Sequence, residues 1–492
     1  MARQMLHHLG ECGYSKPAIN HERSTCQVNA TAPLFEVDDT VIARPIRSVA
    51  HPVIEATEDD LTGIAGVALW GELLDRLGLV AEADRRVLRP IGPGGYTGGE
   101  CYRAVVETQL AGGDFVSDRS LLSGEATKAL RGQHSLPSGT TLWRFLAGAD
   151  LGRVKKAEAV NRTMLRRAWA MGAGPGPGIL TIDPDATYID TYGPAKEGSY
   201  FSYKGTVQMS PLVGVCGETG DVLALRARGG NASPRRKLAS FVDECIAAIP
   251  EPWRSTRQLW VRIDSAGYSR AVIDAIVRHD AAFSITCIQD KKVRSAIYAL
   301  ASDPKTTWVP AKDAEGEIRG SEIAETTYRF GGRTLRMILR RQRTRAGEQL
   351  SFEDVCGWRF HAIVTNIPPL FGDAAGIEHH HRLRGGGPEE AIRQLKEDFG
   401  LCHAPLENFF GNWCWWLAAA LSYNVARWVR VLGLPESFRT CRGKRLRLCF
   451  FNVAARVTRS ARQLHLRLGR AYAHAEAFIA ALERLRRLPA FA

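Results

Sequence analysis

Along the first third of the chain apolar residues recur at helical spacing. The stretch "TGIAGVALWGELLDRLGLV" (62–80) predicts an amphipathic helix, and "SLLSGEATKALRGQHSLPSGTTLWRFLAG" (120–148) predicts short helices broken at Gly132 and Pro137. The segment from Ser138, with a capping hydroxyl before "LWRFLAG", is a candidate second helix of a helix-turn-helix. Residues 172–178, "GAGPGPG", cannot hold regular structure and mark a boundary. Beyond them the period changes to two. "GILTID" (178–183) alternates, and "SPLVGVC" and "VLALRAR" flank a "GETGD" turn as a hairpin. A helix is predicted to start with Ser233 as N-cap and Pro234 at its first position. "QLWVRID" (258–264) is the next strand, followed by a helix over about 269–281 and the strand "FSITCI". Residues 290–376 read as a β-rich insertion with a hairpin about Gly331-Gly332. After it come the helices "PEEAIRQLKEDFG" and "NWCWWLAAALSYNVARWV", while "LHLRL" (464–468) alternates like a strand.

Composition narrows the class. With 492 residues, 45% of them hydrophobic, the chain builds packed cores, about three domains at ~100–200 residues each. The formal charge of +13 favours an anionic partner, nucleic acid before membrane. Eleven scattered cysteines with no CxxC pair argue against a disulfide framework or a zinc ribbon and suit a reduced, cytosolic interior. No secretory h-region stands at the N-terminus, and the run Trp413 to Val429 is shorter than the ~20 residues a span needs and carries Asn424 and Arg427. It predicts a buried helix, with its tryptophans in the core.

The candidate chemistry is acidic. In "TIDPDATYIDTYG" (181–193), Thr181, Asp183 and Asp185 share one face of a strand, and Pro184, which lacks an N–H, ends ladder pairing on its side. Taken alone, Asp-Pro-Asp is a turn signal. Asp264 ends a second apolar strand, where sites in open sheets collect, although it also suits an ordinary helix cap. On the helix that follows Pro388, Glu389 flanks the stripe of Ile392, Leu395 and Phe399 and is expected to look along the core edge. Glu390 is expected to face water. Carboxylates brought together from separate segments repel unless cations lie between them, and hard oxygen ligands suit Mg²⁺ or Mn²⁺. Two such ions ~3.5–4 Å apart serve phosphoryl transfer. "HHH" at 379–381 is read as structural or DNA-facing, since adjacent histidines diverge on any regular element.

The stretches "IDPDATYIDTYG", "EGSYFSYKG", "ETGDVLALRARGGNA", "VRIDSAGYS", "AIVTNI" and "IRQLKEDFGL", spread over about 180–410, resemble the bacterial insertion-sequence transposases of the DDE group 1 type. The resemblance implies an α/β fold: an RNase H-like mixed sheet flanked by helices, interrupted by the β-rich insertion, with a mainly helical N-terminal domain and a basic C-terminal region. The implied segments are 1–175 for DNA binding, 176–289 and 377–430 for the two parts of the catalytic core, 290–376 for the insertion and 431–492 for the basic end. Asp185, Asp264 and Glu389 would be the catalytic, metal-holding acids, with Asp183 a competitor for the first. Relatives place Tyr, two residues, Arg, three residues, Glu, six residues, Lys about the glutamate. Lys396 fits, whereas the other two positions hold Gly385 and Arg382, and Arg384 stands one residue away.

The implied activity is hydrolysis at the ends of a mobile element followed by attack of the freed 3′-hydroxyl on target DNA, with two Mg²⁺ ions for which Mn²⁺ substitutes. A homodimer on paired double-stranded ends, in the bacterial cytoplasm beside the nucleoid and away from membranes, is implied as well. Lys396, Arg384 and Lys204 would hold phosphates. The stretch 442–470 holds Arg442, Lys444, Arg445, Arg447, Arg456 and Arg459 among others, with no acid, and suits a phosphate track. Two alternatives differ in outcome: a transposase-derived DNA-binding protein that no longer cuts, and a nuclease that cuts without joining.

Overall fold

The computed structural model describes residues 56–57, 59–86, 88, 95–132, 134–193, 195–202, 205–312, 318–344, 354–355 and 357–491. Lys204 lies outside the described residues. Asp59–Ala492 cluster as one compact unit, so the Gly/Pro joint at 172–178 is an internal connection within that unit.

A ten-stranded mixed sheet organises it. Its centre is β1 (Leu180–Ala186), β2 (Leu212–Cys216), β3 (Val222–Arg226), β4 (Leu259–Ile263) and β5 (Ala282–Thr286), in the spatial order β3-β2-β1-β4-β5. β2 runs antiparallel to β1 and β3, and β1, β4 and β5 run parallel. Parallel neighbours need crossovers. One contains α1 (Leu238–Ala248), and the other is α2 (Arg270–Arg278), capped by Ser269. The Pro184 expectation holds on one side only: regular pairing with β4 ends at Ile182, while pairing with β2 continues to Ala186.

The insertion contributes β6 (Val309–Lys312), β7 (Ile318–Phe330), β8 (Arg333–Arg343) and β9 (Trp358–Thr365), and β9 pairs with β5. It therefore extends the central sheet from its edge. β7 and β8 turn over Gly331 and Gly332, both at positive φ, as a two-residue hairpin connection requires. Behind the insertion follow α3 (Ala374–Arg382), α4 (Gly387–Asp398) and α5 (Phe409–Leu432).

α5 is the central helix predicted from its composition. Trp415, Trp416 and Trp428 are fully buried, and the preceding helices Gly98–Leu110, Gly139–Ala147 and Leu151–Ala168 pack around it. Among the described residues no helix is long and apolar enough to cross a membrane. Ser138 caps its helix by accepting from the Thr141 N–H at 3.1 Å, as expected. A buried polar knot ties these layers together. The Asp221 carboxylate accepts from the indoles of Trp169 (2.7 Å) and Trp428 (2.9 Å) and lies 3.2 Å from Arg427.

The predicted start of α1 at Ser233 is wrong. Residues 233–237 form a turn, Lys237 takes a left-handed φ of 65°, and the helix begins at Leu238. The cause is Arg228, whose buried guanidinium donates to the carbonyls of Ser233, Pro234 and Arg236, all on the turn that precedes the helix. At the C-terminal end the predicted strand is Gln463–Leu468, paired with Ala455–Ser460, which in turn pairs with Leu61–Thr62.

Candidate active site

The site is built on the carboxyl ends of β1 and β4. Their parallel register sets Thr181 opposite Trp260 and Ile182 opposite Val261. Continued along the strands, it sets Asp183 opposite Arg262 and Asp185 opposite Asp264, all toward the face that α3 covers. The first pair is closed. Arg262 Nε and Nη2 each donate to Asp183 at 2.7 Å, its Nη1 donates to the His380 carbonyl at 2.6 Å, and Asp183 is 1% exposed. A Cβ on Gly217 would come within 2.9 Å of the Arg262 guanidinium, so glycine there leaves room for the pair.

The second pair is open. Asp185 and Asp264 are half-buried. Burial, reinforced by the neighbouring charge of Asp264, pushes the Asp185 carboxyl up, against the pull of Arg384. Arg384 Nη1 donates to Asp185 Oδ2 at 3.1 Å, and Asp185 Oδ1 accepts from the Ala186 N–H at 2.8 Å. Asp264 Oδ1 accepts from the Ala266 N–H at 2.9 Å, so it also caps the short turn that follows. A cavity of about 420 Å³ opens beside Ser265, with Arg340, Arg359, His361 and Gln289 on its walls.

Glu389 stands in the first turn of α4, exposed and without a hydrogen bond or ion pair among the described residues. Its Oε1 lies 4.0 Å from where a Cβ on Gly385 would be, immediately next to Arg384 in the chain. It therefore stands by the Arg384 turn. The helical-wheel expectation for its neighbour is overturned. Glu390 is the less exposed of the two and is held by Gln394 (2.9 Å), Arg393 and Arg442 (3.1 Å). Lys396 is half-buried on the same helix.

Of the basic candidates, Lys444, Arg445 and Arg459 are exposed and unpaired among the described residues. Arg442 bridges Glu390 and Glu397, and Arg456 pairs with Asp59 at 2.6 Å. Arg447 is turned inward onto the carbonyls of Gln109, Leu110 and Asp398.

The three adjacent histidines diverge, as expected. His380 reaches Thr181 at 3.1 Å and packs edge-on against Trp260. His381 bridges Ser284 and Thr286 at 2.9 and 3.0 Å. Burial among arginines keeps both neutral, with His380 pushed down to about 4. Sequence reasoning missed Arg262, the partner that engages both oxygens of Asp183. Its one signal was the parity shared by Arg262 and Asp264 on a strand adjacent to Asp183 and Asp185.

The residues fit a divalent cation in part. Asp185 and Asp264 are two hard oxygen donors whose mutual repulsion a cation would relieve. Among the described residues, however, no three His, Cys, Asp or Glu side chains come close enough to hold a metal ion, so Glu389 does not complete the set here.

Fold and site together define an α/β protein with an acidic centre at the ends of its parallel strands. The chain belongs to the transposase DDE domain group 1 family, whose model matches residues 55–490. It is thus a transposase, of a family that in general cleaves DNA with divalent metal ions. Among solved structures it is similar to the cryo-EM structure of the piggyBac transposase synaptic complex with hairpin DNA, at 12% identity and a TM-score of 0.36 over 73% of each chain. No curated protein matches it.

Proposed function

We propose that this chain is the transposase of a bacterial insertion sequence, cutting double-stranded DNA at the ends of its element and joining the freed 3′-hydroxyl to target DNA. The observation that carries the proposal is the Asp185–Asp264 pair, two like charges set side by side at strand ends with Arg384 paired to the first. The order β3-β2-β1-β4-β5, with three antiparallel strands followed by two parallel ones, supports an RNase H-like core in two parts, 176–289 and 377–430. Asp183, closed off by Arg262, is excluded as the first catalytic acid in this reading, which leaves Asp185.

Asp185 and Asp264 would hold the divalent cation, Mg²⁺ or Mn²⁺, with Glu389 as the third ligand. When bound, a pair of such ions supplies an activated attacking oxygen and charge stabilisation at the leaving one. The chain's own residues bind and orient. Arg384 lies where it can donate to a phosphate as well as to Asp185, and Lys396 adds a second cation on α4. Lys444, Arg445 and Arg459 extend the phosphate contacts, and two copies would assemble on paired ends.

The lack of a three-acid group among the described residues favours one other reading, a protein that binds DNA without cutting. Incubation with Mg²⁺ or Mn²⁺ and duplexes carrying candidate element ends separates the two. The wild type is expected to yield nicked and joined products, and Asp264→Ala to lose at least about a hundredfold in rate, the scale of removing one preorganised electrostatic contact. Equal cleavage by both proteins would remove Asp264 from the site. A shifted but uncut duplex would favour the binding-only reading, and cutting without joining a nuclease.

A further inference from the structure

Directly after β1 the chain leaves the central sheet and builds a small three-stranded side sheet. Its strands are Ile189–Asp190, Val207–Met209 and Tyr200–Phe201, with Val207–Met209 in the middle. This sheet is seated on the core through Gly229 and Gly230. A Cβ on Gly230 would lie 1.8 Å from the Gln208 carbonyl oxygen, and one on Gly229 would meet the Tyr200 ring at 3.1 Å. Glycine at both places lets the aromatic ring lie against the backbone.

Two aromatic residues of the side sheet and one in the bend after its first strand are turned outward: Tyr200 is 50% exposed, Phe201 75% and Tyr192 88%. Isolated exposed apolar groups need no explanation, but two in one small sheet with a third just beyond its first strand do. Beside Tyr200 opens a cleft of about 500 Å³, walled by Tyr200, Phe409, Asn231, Arg236 and Lys237. The two cations are offered by the turn 233–237, whose shape Arg228 fixes from beneath with bonds to three of its carbonyls. That clamp holds Lys237 in the left-handed conformation, an uncommon state for a residue with a side chain. Among the described residues the Tyr200 hydroxyl, the Asn231 amide, the Arg236 guanidinium and the Lys237 ammonium have no hydrogen-bond partner. Of the nearby acids, Glu197 is engaged by the Phe409 N–H at 2.8 Å, and Asp190 lies on the far strand of the side sheet.

We propose that this cleft binds one unpaired nucleotide of a DNA strand, with its base against Tyr200 and its phosphate on Arg236 and Lys237. The inference rests on the DNA-cutting role proposed above and adds a subsite for single-stranded DNA next to β1. An aromatic wall recessed in a cleft gains nothing from a duplex, whose base faces are already stacked. It gains from any unpaired base, because every base has a π-face. Two cations on a preformed turn match the phosphate that accompanies that base.

The test is fluorescence anisotropy on the full chain in EDTA, where nothing is cut, with a labelled single-stranded oligonucleotide and the same sequence as a duplex. Tyr200→Ala is expected to weaken single-strand binding about tenfold, with Tyr200→Phe and the duplex affinity within about twofold of wild type. Arg236→Ala is expected to lower the salt slope on the single strand by about one. Unchanged single-strand affinity in Tyr200→Ala would overturn the proposal. An equal loss on duplex would overturn it in favour of a backbone contact. A variant whose sedimentation reports a lost dimer, with DNA affinity intact, would give the cleft to a second copy of the chain. Because no metal is present, failure here leaves the cleavage test untouched, and failure of cleavage leaves this one readable.

Discussion

Asp183 and Asp185 stand two residues apart on one strand and point to the same face, and burial pushes both carboxyls up, yet their neighbours differ. Asp183 faces Arg262 across the strand gap, holds it through two bonds and is sealed from water. Asp185 faces another acid, is half-buried, and has Arg384 reaching in from a turn outside the sheet. The inner position is an ion pair matched within the sheet, which fits the structural role proposed for it. The outer position brings like charges together, a costly arrangement that persists only where something else offsets it, and such places are candidates for chemistry. One period of the strand separates the two.

The largest effect expected from this contrast is on stability. Arg262→Ala leaves the Asp183 charge buried without its partner and removes the bond to the His380 carbonyl, and it should cost about 3–5 kcal/mol in equilibrium denaturation. Asp183→Leu combined with Arg262→Met should recover part of that loss, because a buried ion pair exchanged whole for apolar groups is far less costly than one broken. If Arg262→Ala melts like the wild type, the inner pair carries no structural weight and the contrast between the two positions fails.

A smaller effect, of opposite sign, belongs to the outer pair. The folded state holds Asp185 above its ordinary carboxyl value, so ionising it costs the folded chain more than the unfolded one. That penalty is absent well below the usual carboxylate pKa of about 3.9, grows as pH rises past it, and is complete above the raised folded value. Asp185→Asn should therefore be more stable than wild type at neutral pH, by about 0.5–2 kcal/mol, while losing DNA cleavage. Thermal melts of the two proteins should converge as the pH is lowered. A variant less stable than wild type at neutral pH would mean that the bond from Arg384 outweighs the burial of Asp185 and the repulsion from Asp264.

Much of the fold was legible because its signals are local. Alternation located β1, β4 and β5, two glycines located the hairpin of the insertion, and the apolar run 413–429 located the buried helix. Asp264 was legible too, as an acid that ends an apolar strand. What could not be read depended on side-chain partners that periodicity does not reveal. Alternation puts Asp183 and Asp185 on one face, and only the register with β4 tells them apart. The wheel of α4 turned Glu390 to water because it could not know that Arg442 arrives from the C-terminal region to hold it. The capping signal at Ser233 is sound locally, but Arg228 binds the carbonyls of that turn and delays the helix to Leu238. In the first two cases an arginine distant in sequence overrode a short-range preference, and in the third the arginine stands five to eight residues before the carbonyls it binds.

The same division between engaged and available charge runs through the basic stretch 442–470, where density alone suggested a uniform track. Arg447 donates to three backbone carbonyls, whereas Lys444 and Arg445, three and two residues before it, are exposed and unpaired among the described residues. If the available groups neutralise DNA phosphates, Lys444→Ala with Arg445→Ala should lower the slope of log affinity against log salt by about two, one for each cation removed. Because neither side chain is packed, stability should stay within about 0.5 kcal/mol of wild type. The weakening should be uniform across DNA sequences, since phosphate contacts position a protein without reading bases. An unchanged salt slope would confine the DNA surface to the strand-end face and make this part of the basic stretch a solvated exterior.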